Sequence, residues 1–600
     1  MLKHVLIPLI ALTITLHAQY VPVSPYLIEP ERAIGYVDSS ATFWFNSYDN
    51  TLGGFWTNVG KTGNVTSASR KNMLTQSRNA YGMVRAYMLT GKEEFLTLAR
   101  GALDFMYEHA WDAANGGWYG ELRNNGVPVN ANANKGAFDQ HYALLGISAY
   151  YEATNDTTDW HWLQRGYQNN EDKLWDDREN LFGYYDYGSA NWAFVDGKSF
   201  NATIDAVTTH LLSLYLMTED QVYLDRLHQM ADNSLTHLIP SMDGQAIGMV
   251  EKYDADWNWN NGETLTIMGH ILKTAWCLGR IHLVDPNEAY LDGAKKLVEE
   301  VWTKGYDHDF GGPYKDYNRT TGEMILWGIP DSAKAWWQME QALTAGLEMY
   351  HITGDDVYLQ MADETLDFFM KYFVDHENGE VFADRTRYGD AIPQWGESKG
   401  GGFKAAYHSI ELGYYTYLYG NLFYNNKPVT LHYNFTNRDE ERSILLTPLA
   451  VSPGFLRIKS ALKDGQQYTD FEPDARRLNI ASGEGGHFQV TFETAVTGIG
   501  DAAAGAKPEG FALHQNYPNP FNPETTIEYE LTRSETISLV VYNISGQKIR
   551  ILLNGSVPAG RHQIRWNGQD DLGNNVTSGI YFLQMTAGEF TANQQMLLIR

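Results

Sequence analysis

His270 sits in the stretch Gly262 to Cys277, GETLTIMGHILKTAWC, after a polar and aromatic approach that includes Trp257, Trp259, Asn260 and Glu263. Ile271, Leu272, Ala275 and Trp276 then follow at helical spacing, which predicts a helix start projecting His270 into a cavity. An imidazole ordinarily titrates near pH ~6.5, so such a group suits proton transfer at neutral pH. The carboxylates of the same region offer a second chemistry. Asp139, Asp205, Glu251, Asp331 and Glu340 are candidates, and two carboxylates across one cavity suffice for glycoside hydrolysis. The 38 tyrosines and 17 tryptophans suit stacking on sugar rings as well as helix packing.

The elements that must position these groups belong to a long chain. Six hundred residues exceed one ordinary domain, so about two to four are expected. A formal charge of −28 excludes nucleic acid and anionic membrane as partners, because either needs a basic patch. Residues 1–18 carry a short basic start, an apolar run from Val5 to Leu16 and a small residue, Ala18, as a cleavage point. They read as a secretory signal. No later stretch is apolar for long enough to cross a bilayer. Cys277 is the single cysteine, which rules out a disulfide within the chain.

From Asn46 to Tyr424 the chain repeats. Helix-breaking pairs recur at Thr90-Gly91, Thr154-Asn155, Thr218-Glu219, Asp285-Pro286, Thr353-Gly354 and Tyr419-Gly420, spaced by 64–68 residues. An apolar-periodic segment precedes most of them and a second helical segment follows. Gly-rich aromatic loops such as Gly53-Gly54-Phe55-Trp56, Gly116-Gly117-Trp118-Tyr119 and Gly311-Gly312-Pro313-Tyr314 mark the opposite ends. Two helices per repeat predict an (α/α)6 toroid over 19–425 with a funnel at one end; an open α-solenoid is the alternative.

The ordered pieces Gln76-Ser77-Arg78, Gly117-Trp118-Tyr119, Lys135-Gly136-Ala137-Phe138, Lys198-Ser199-Phe200-Asn201, Gly269-His270, Lys334 to Glu340 and Lys404 to His408 resemble the N-acylglucosamine 2-epimerase family. That family includes cellobiose 2-epimerases and aldose–ketose isomerases. The resemblance implies proton removal beside a sugar carbonyl, through an enediolate and without metal or organic cofactor. It gives His270 and His408 as the base and acid, and Arg78 as the oxyanion partner. Trp336 or Trp337 and Glu340 would hold the sugar, with Trp118 a further contact. Two positions depart from the pattern. The family's His-x-x-Glu reads His270-Ile271-Leu272-Lys273, and Asp205, or Ala206 with an offset of one residue, stands where a histidine is usual. If the exchange is a paired reversal of charge, Lys273 and Asp205 must lie within about 4 Å. A glycoside hydrolase or lyase and a non-catalytic sugar-binding protein are the competing functions.

Beyond Asn426 the pattern turns to alternation, as in VTLHYNF and HFQVTFETAV, predicting a small all-β sandwich over 426–497 that reads as a spacer. A small-residue linker, 498–510, leads to 511–600. Asn516 to Pro523, Tyr542 to Gly546, Trp566-Asn567-Gly568 and Ser578 to Phe582 resemble the Ig-like C-terminal sorting domain of the type IX secretion system. This implies the secretion machinery as a partner, with the protein passing through the periplasm to the cell surface or the medium.

Overall fold

The computed structural model describes residues 20–495 and 511–599, apart from 327–328, 331, 517–518, 524, 533–534, 558–559, 572–573 and 589. The signal and linker readings, and Asp331, lie outside the described residues.

The first region is a helical toroid. Its inner helices are α2 (Met73–Thr90), α4 (Ala137–Thr154), α6 and α7 (Phe200–Ala206 and Leu212–Thr218, joined by the wide turn Val207–Leu211), α9 (Met268–Val284), α11 (Trp336–Thr353) and α13 (Tyr407–Tyr419). The outer layer is α1 (Arg32–Phe43), α3 (Glu93–Phe105), α5 (Thr157–Leu174), α8 (Gln221–Asn233), α10 (Glu288–Glu300) and α12 (Asp356–Phe368). Each inner helix packs on the next, and α13 packs on α2 to close the ring. Inner helices such as α2 and α4 are buried on nearly every face, as a helix enclosed by neighbours must be. Close approach is built in by small residues: a Cβ at Gly146 would lie 2.5 Å from the Ser77 carbonyl oxygen.

The helix-breaking pairs have a local cause. The threonines at 90, 154, 218 and 353 turn their hydroxyls back onto carbonyls four residues earlier, and the next residue takes the left-handed conformation. Asp156, Asp220 and Asp355 then cap the following outer helix. The ring reaches further upstream than the repeat read from Asn46. Helix α1 lies before that boundary and backs α13, with the Tyr36 hydroxyl donating to the Ser409 carbonyl at 2.8 Å.

At the opposite end, buried lysines staple the Gly-rich loops. Lys135 reaches Asp112 (2.7 Å) and the Gly116 carbonyl (2.6 Å). Lys71, Lys198, Lys334 and Lys399 repeat the arrangement on Asp49, Asp176, Asp307 and Asp375, each also holding a loop glycine carbonyl. Against burial, which would raise it, the hydrogen bonds from Lys135 and Asn115 hold Asp112 down to about 2. Lys71, Lys135, Lys198 and Lys334 each stand two residues before their inner helix. In the repeat that carries His270 that place is taken by Thr266.

The β-module comprises a four-stranded sheet, from Val429–Phe435, Gly486–Thr494, Leu456–Lys463 and Gln466–Tyr468 in spatial order, and a three-stranded sheet, from Arg442–Leu445, Arg477–Ile480 and Phe471–Glu472. It is seated on the toroid base, sharing one hydrophobic core with the helices. Thr447 donates to the Leu216 carbonyl and Arg438 to the Asn155 carbonyl, while Arg477 pairs with Glu219 at 3.1 Å. The apolar run after Ser443 stops being a strand at Leu445, because Pro448 has no amide to donate and the segment turns onto the base. Residues 511–599 form a separate two-sheet sandwich with its own core.

Candidate active site

The inner helices and the loops before them enclose a cavity of about 350 Å³. His270 enters it from the first turn of α9. Gly269 precedes it because there is no room for a Cβ, which would meet Gln338 and the Trp337 ring at 2.6 Å. The Gly269 amide donates to Gln338 Oε1 (2.9 Å), tying α9 to α11. The His270 ring stacks on Phe200, with centroids 3.9 Å apart and planes at 19°. Its Nδ1 lies 2.8 Å from Glu251 Oε2, and the other carboxylate oxygen accepts the Ile267 amide at 3.1 Å. A carboxylate in that position only accepts, so Nδ1 carries the proton and Nε2 is left as the basic atom.

His408 enters from the first turn of α13 and is almost wholly buried. Its Nδ1 is 3.2 Å from Glu340 Oε2. Burial, aided by the positive charges of Arg78, Lys273 and Lys404, pushes its pKa well below the ordinary histidine value, so the imidazole is neutral. The Trp337 ring lies between the two histidines, 5.2 Å from His270 and 6.0 Å from His408. Trp336, 6.2 Å from His408, also lines the cavity. The choice left open between them is met by both.

Arg78 donates to the Phe403 carbonyl and lies over the Tyr142 ring at 4.3 Å. Its buried Nε has no hydrogen-bond partner among the described residues, and the Arg78 side chain lines the cavity. Lys273 and Asp205 meet at 2.5 Å, inside the distance expected for a reversed charge pair. Tyr142 OH accepts from the same ammonium (3.0 Å), and Asn201 holds the second Asp205 oxygen (2.9 Å). Burial opposes the Lys273 charge, yet Asp205 and Tyr142 raise its pKa above the ordinary lysine range.

Arg78, His270, His408, Trp336, Trp337, Asp205 and Lys273 are therefore brought to one cavity. Two of the sugar contacts implied by the resemblance are not. Glu340 lies behind His408 and touches the imidazole in place of the cavity. Trp118 packs in a ring cluster with Trp111 and Trp162, 5.0 and 5.6 Å away, and is fully buried there. Lys135, Lys198 and Lys334 are loop staples. Phe138, Tyr142, Asn201, Ile267 and Phe403 complete the wall. Phe138 and Asn201 stood inside recognised segments without a role, whereas nothing in sequence marked Tyr142 or Phe403. Glu251, read only as a hydrolytic carboxylate, orients His270 from nineteen residues upstream. No ligand spacing for a metal is visible in the sequence, but the fold gathers Glu340, His408 and Glu411, with one donor atom from each lying within 4.8 Å of the others.

Of the candidate hydrolytic carboxylates among the described residues, Asp205 alone lines the cavity, and it is paired with Lys273. Glu251 is engaged with His270. Asp139, pushed up to about 6 by burial, stands outside the wall. Among the described residues, two carboxylates free to flank a glycosidic oxygen are not presented.

The profile of the N-acylglucosamine 2-epimerase (GlcNAc 2-epimerase) family matches residues 54–410, and that of the FlgD Ig-like domain matches residues 521–589. The cellobiose 2-epimerase of Ruminococcus albus is 23% identical over 384 residues, which are 62% of this chain and 94% of that protein. The human N-acylglucosamine 2-epimerase is 24% identical over 401 residues, 63% of this chain and 87% of the relative. Among solved structures, the cellobiose 2-epimerase from Spirochaeta thermophila superposes with a TM-score of 0.58 at 21% identity, covering 66% of this chain and 98% of its own. A D-mannose isomerase does so with a TM-score of 0.59 at 19% identity, covering 66% and 99%; these two share the fold. The profile spans more than half of the chain and every residue from Arg78 to His408 that lines the cavity, and the protein belongs to the N-acylglucosamine 2-epimerase family.

Proposed function

We propose that this protein is a carbohydrate 2-epimerase or aldose–ketose isomerase that acts on a free reducing sugar, on an (α/α)6 ring. The observation that carries the reading is the pair of differently prepared histidines facing one cavity across Trp337. His270, with Nδ1–H engaged by Glu251, presents Nε2 to abstract the proton from C2 of the opened sugar. The electron pair left on carbon moves onto the carbonyl oxygen, giving an enediolate. The Arg78 guanidinium and the Lys273 ammonium supply positive charge to that oxygen. His408, neutral, returns a proton to C2 for epimerisation, or to C1 for isomerisation. Trp336 and Trp337 offer faces for stacking. The Lys273–Asp205 pair keeps the local charge balance that the departures from the family pattern would otherwise remove, which favours a catalyst over a passive binder.

Export is part of the proposal. Residues 1–18 read as a signal, and segments such as Tyr542 to Gly546 and Ser578 to Phe582 resemble those of a type IX sorting domain, so the secretion machinery is the expected partner and the cell surface or medium the destination.

Incubation in deuterated water with a panel of reducing sugars and their glycosidically capped forms tests the reading. A reducing sugar is expected to gain deuterium at C2 as its epimer or ketose appears, and capped sugars to stay unchanged. Cleavage of a capped sugar without C2 exchange would replace the proposal with a hydrolase.

A further inference from the structure

The enediolate chemistry above starts from an open-chain aldehyde, whereas a free reducing sugar stands almost entirely as a closed hemiacetal. Opening it takes a base for the anomeric O1–H and an acid for the ring oxygen. The two histidines are already committed to carbon. His270 presents Nε2 to C2. Behind His408, burial raises Glu340 well above the usual carboxylate range, so the Glu340 O–H donates to Nδ1 and Nε2–H is kept for carbon.

A second acid–base set stands on the same wall. Tyr142 on α4, Asp205 on α6 and Lys273 on α9 all line the cavity, so three consecutive inner helices converge there. Lys273 is the link, donating to Asp205 Oδ1 at 2.5 Å and to the Tyr142 hydroxyl at 3.0 Å. Asn201, one turn before Asp205, donates to the other carboxylate oxygen at 2.9 Å and fixes its orientation. The Tyr142 ring is held by the Arg78 guanidinium, 4.3 Å over its face, and by Phe138, 4.8 Å away. Its oxygen accepts from Lys273, and its own hydrogen has no acceptor among the described residues. Burial keeps the phenol protonated. Burial opposes the Lys273 charge, which Asp205 and Tyr142 nevertheless secure.

We propose that Asp205, Lys273 and Tyr142 open the sugar ring, with Asp205 as the base for the anomeric hydroxyl and Tyr142 as the acid for the ring oxygen. As the O1–H proton passes to Asp205, its electron pair forms the C1=O1 bond and the C1–O5 pair leaves on O5. Tyr142 gives its proton to O5 and takes one from Lys273. The open-chain aldehyde is then accompanied by a carboxylic acid at Asp205 and an amine at Lys273. Those two groups are in contact. The amine turns about its Cε–Nζ bond and takes the acid proton, which restores the ion pair, and the phenol hydrogen turns back to the sugar. Every side chain ends with the protons it began with, and the ammonium is again in place when the enediolate forms. Asp205 and Tyr142 are the catalytic residues of this step; Lys273 acts through Tyr142.

The step rests on the proposed function, and its tests separate the two. D-Glyceraldehyde, too short to close a ring, probes the C2 chemistry alone, whereas D-glucose, D-mannose and cellobiose probe it together with ring opening. For a ring-closed sugar, the rate of C2 exchange in deuterated water is expected to rise in proportion to protein concentration, past the rate at which that sugar opens in buffer. A plateau at the buffer rate would overturn the relay and leave the epimerase or isomerase reading intact. No C2 exchange in any of the four probes would remove that reading, and the relay with it. Tyr142→Phe is expected to slow conversion of the ring-closed sugar by about 10²-fold while glyceraldehyde exchange is retained, which also reports that the variant is folded. Equal losses on both substrates would overturn the relay. Lys273→Arg keeps the positive charge on a group that does not give up a proton, and should show the same split. Conversion of the ring-closed sugar by Lys273→Arg at the unmutated rate would reduce Lys273 to a fixed charge and overturn the relay.

Discussion

His270 and His408 flank the same tryptophan, yet the chain holds them in opposite ways. His270 stands partly open, sandwiched between Phe200 and the cavity, with a carboxylate from a loop fixing its inner nitrogen. His408 is sealed, and the acid behind it belongs to a pair within the helical core. An acceptor behind an imidazole makes its outer nitrogen a base, whereas a donor behind it makes the outer nitrogen an acid. The two sides of the cavity are therefore chemically unlike although their residue types match. A symmetrical His/Glu pair on each side would not assign a direction.

The largest expected effects come from deleting each histidine in turn. His270→Ala and His408→Ala should each cut conversion by about 10²–10⁴-fold. They should differ in isotope exchange for the substrate whose C2 proton faces His270. His408→Ala should still exchange that proton with deuterated solvent without inverting carbon, and His270→Ala should not. Equal exchange in both variants, followed by NMR at C2, would erase the assigned direction.

Next in size is the charge pair between the two sides. Lys273→Met leaves Asp205 buried without its cation, a change that typically costs about 3–5 kcal/mol, read as a fall in the denaturant midpoint. Lys273→Met combined with Asp205→Leu should recover most of that loss while activity stays low. Stability unchanged in the single variant would mean the pair does not act as a unit.

A subtler asymmetry concerns the acids behind the rings. Glu251→Gln turns an amide N–H toward His270 Nδ1 and forces the proton onto Nε2, the wrong tautomer for a base. A loss of about 10²-fold or more in kcat is expected. Glu340→Gln presents the same amide to His408 but preserves Nε2–H, so its loss should be smaller, about tenfold. Reversed magnitudes would exchange the roles of the histidines.

What was legible in sequence follows from how local each cause is. The helix-breaking pairs, the Gly-rich loops and the lysine two residues before most inner helices are short-range devices, and they repeat. The ring and the order of its motifs could therefore be read. Glu251 could not, because it acts on His270 across nineteen residues of loop, in the one repeat where Thr266 replaces the lysine staple. Glu340 and Trp118 lay in recognised segments, but a one-turn difference in direction decides whether a residue faces the cavity or the core, and a short motif does not record it. The docking of the β-module depends on contacts such as Arg438 to Asn155, which no local pattern announces.

The smallest effect per group is set by acid, and it separates the helical interior from the loop staples. His141 is held down to about 4 by burial, and His210 and His408 are pushed well below 6.5 for the same reason. In the unfolded chain each would bind a proton from pH ~6.5 downward, while the folded protein resists it. Their contribution is thus complete above that value. It is lost as the pH falls, at about 1.4 kcal/mol per pH unit for each group until its folded pKa is reached. The staple aspartates behave differently. Asp112, Asp176 and Asp375 keep pKa values of about 2 against an ordinary 3.8, so their stabilisation is intact above about 3.8 and fades between there and about 2. Unfolding free energy measured against pH should therefore decline in two stages, the first from the histidines and the second from the loops. His141→Gln should flatten the first stage between about 6.5 and 4 and leave the second unchanged. Lys135→Met with Asp112→Leu should do the reverse. A single decline confined to the region below pH ~4 would mean that the buried histidines take up protons without unfolding, and that the sealed interior around His408 is open to acid.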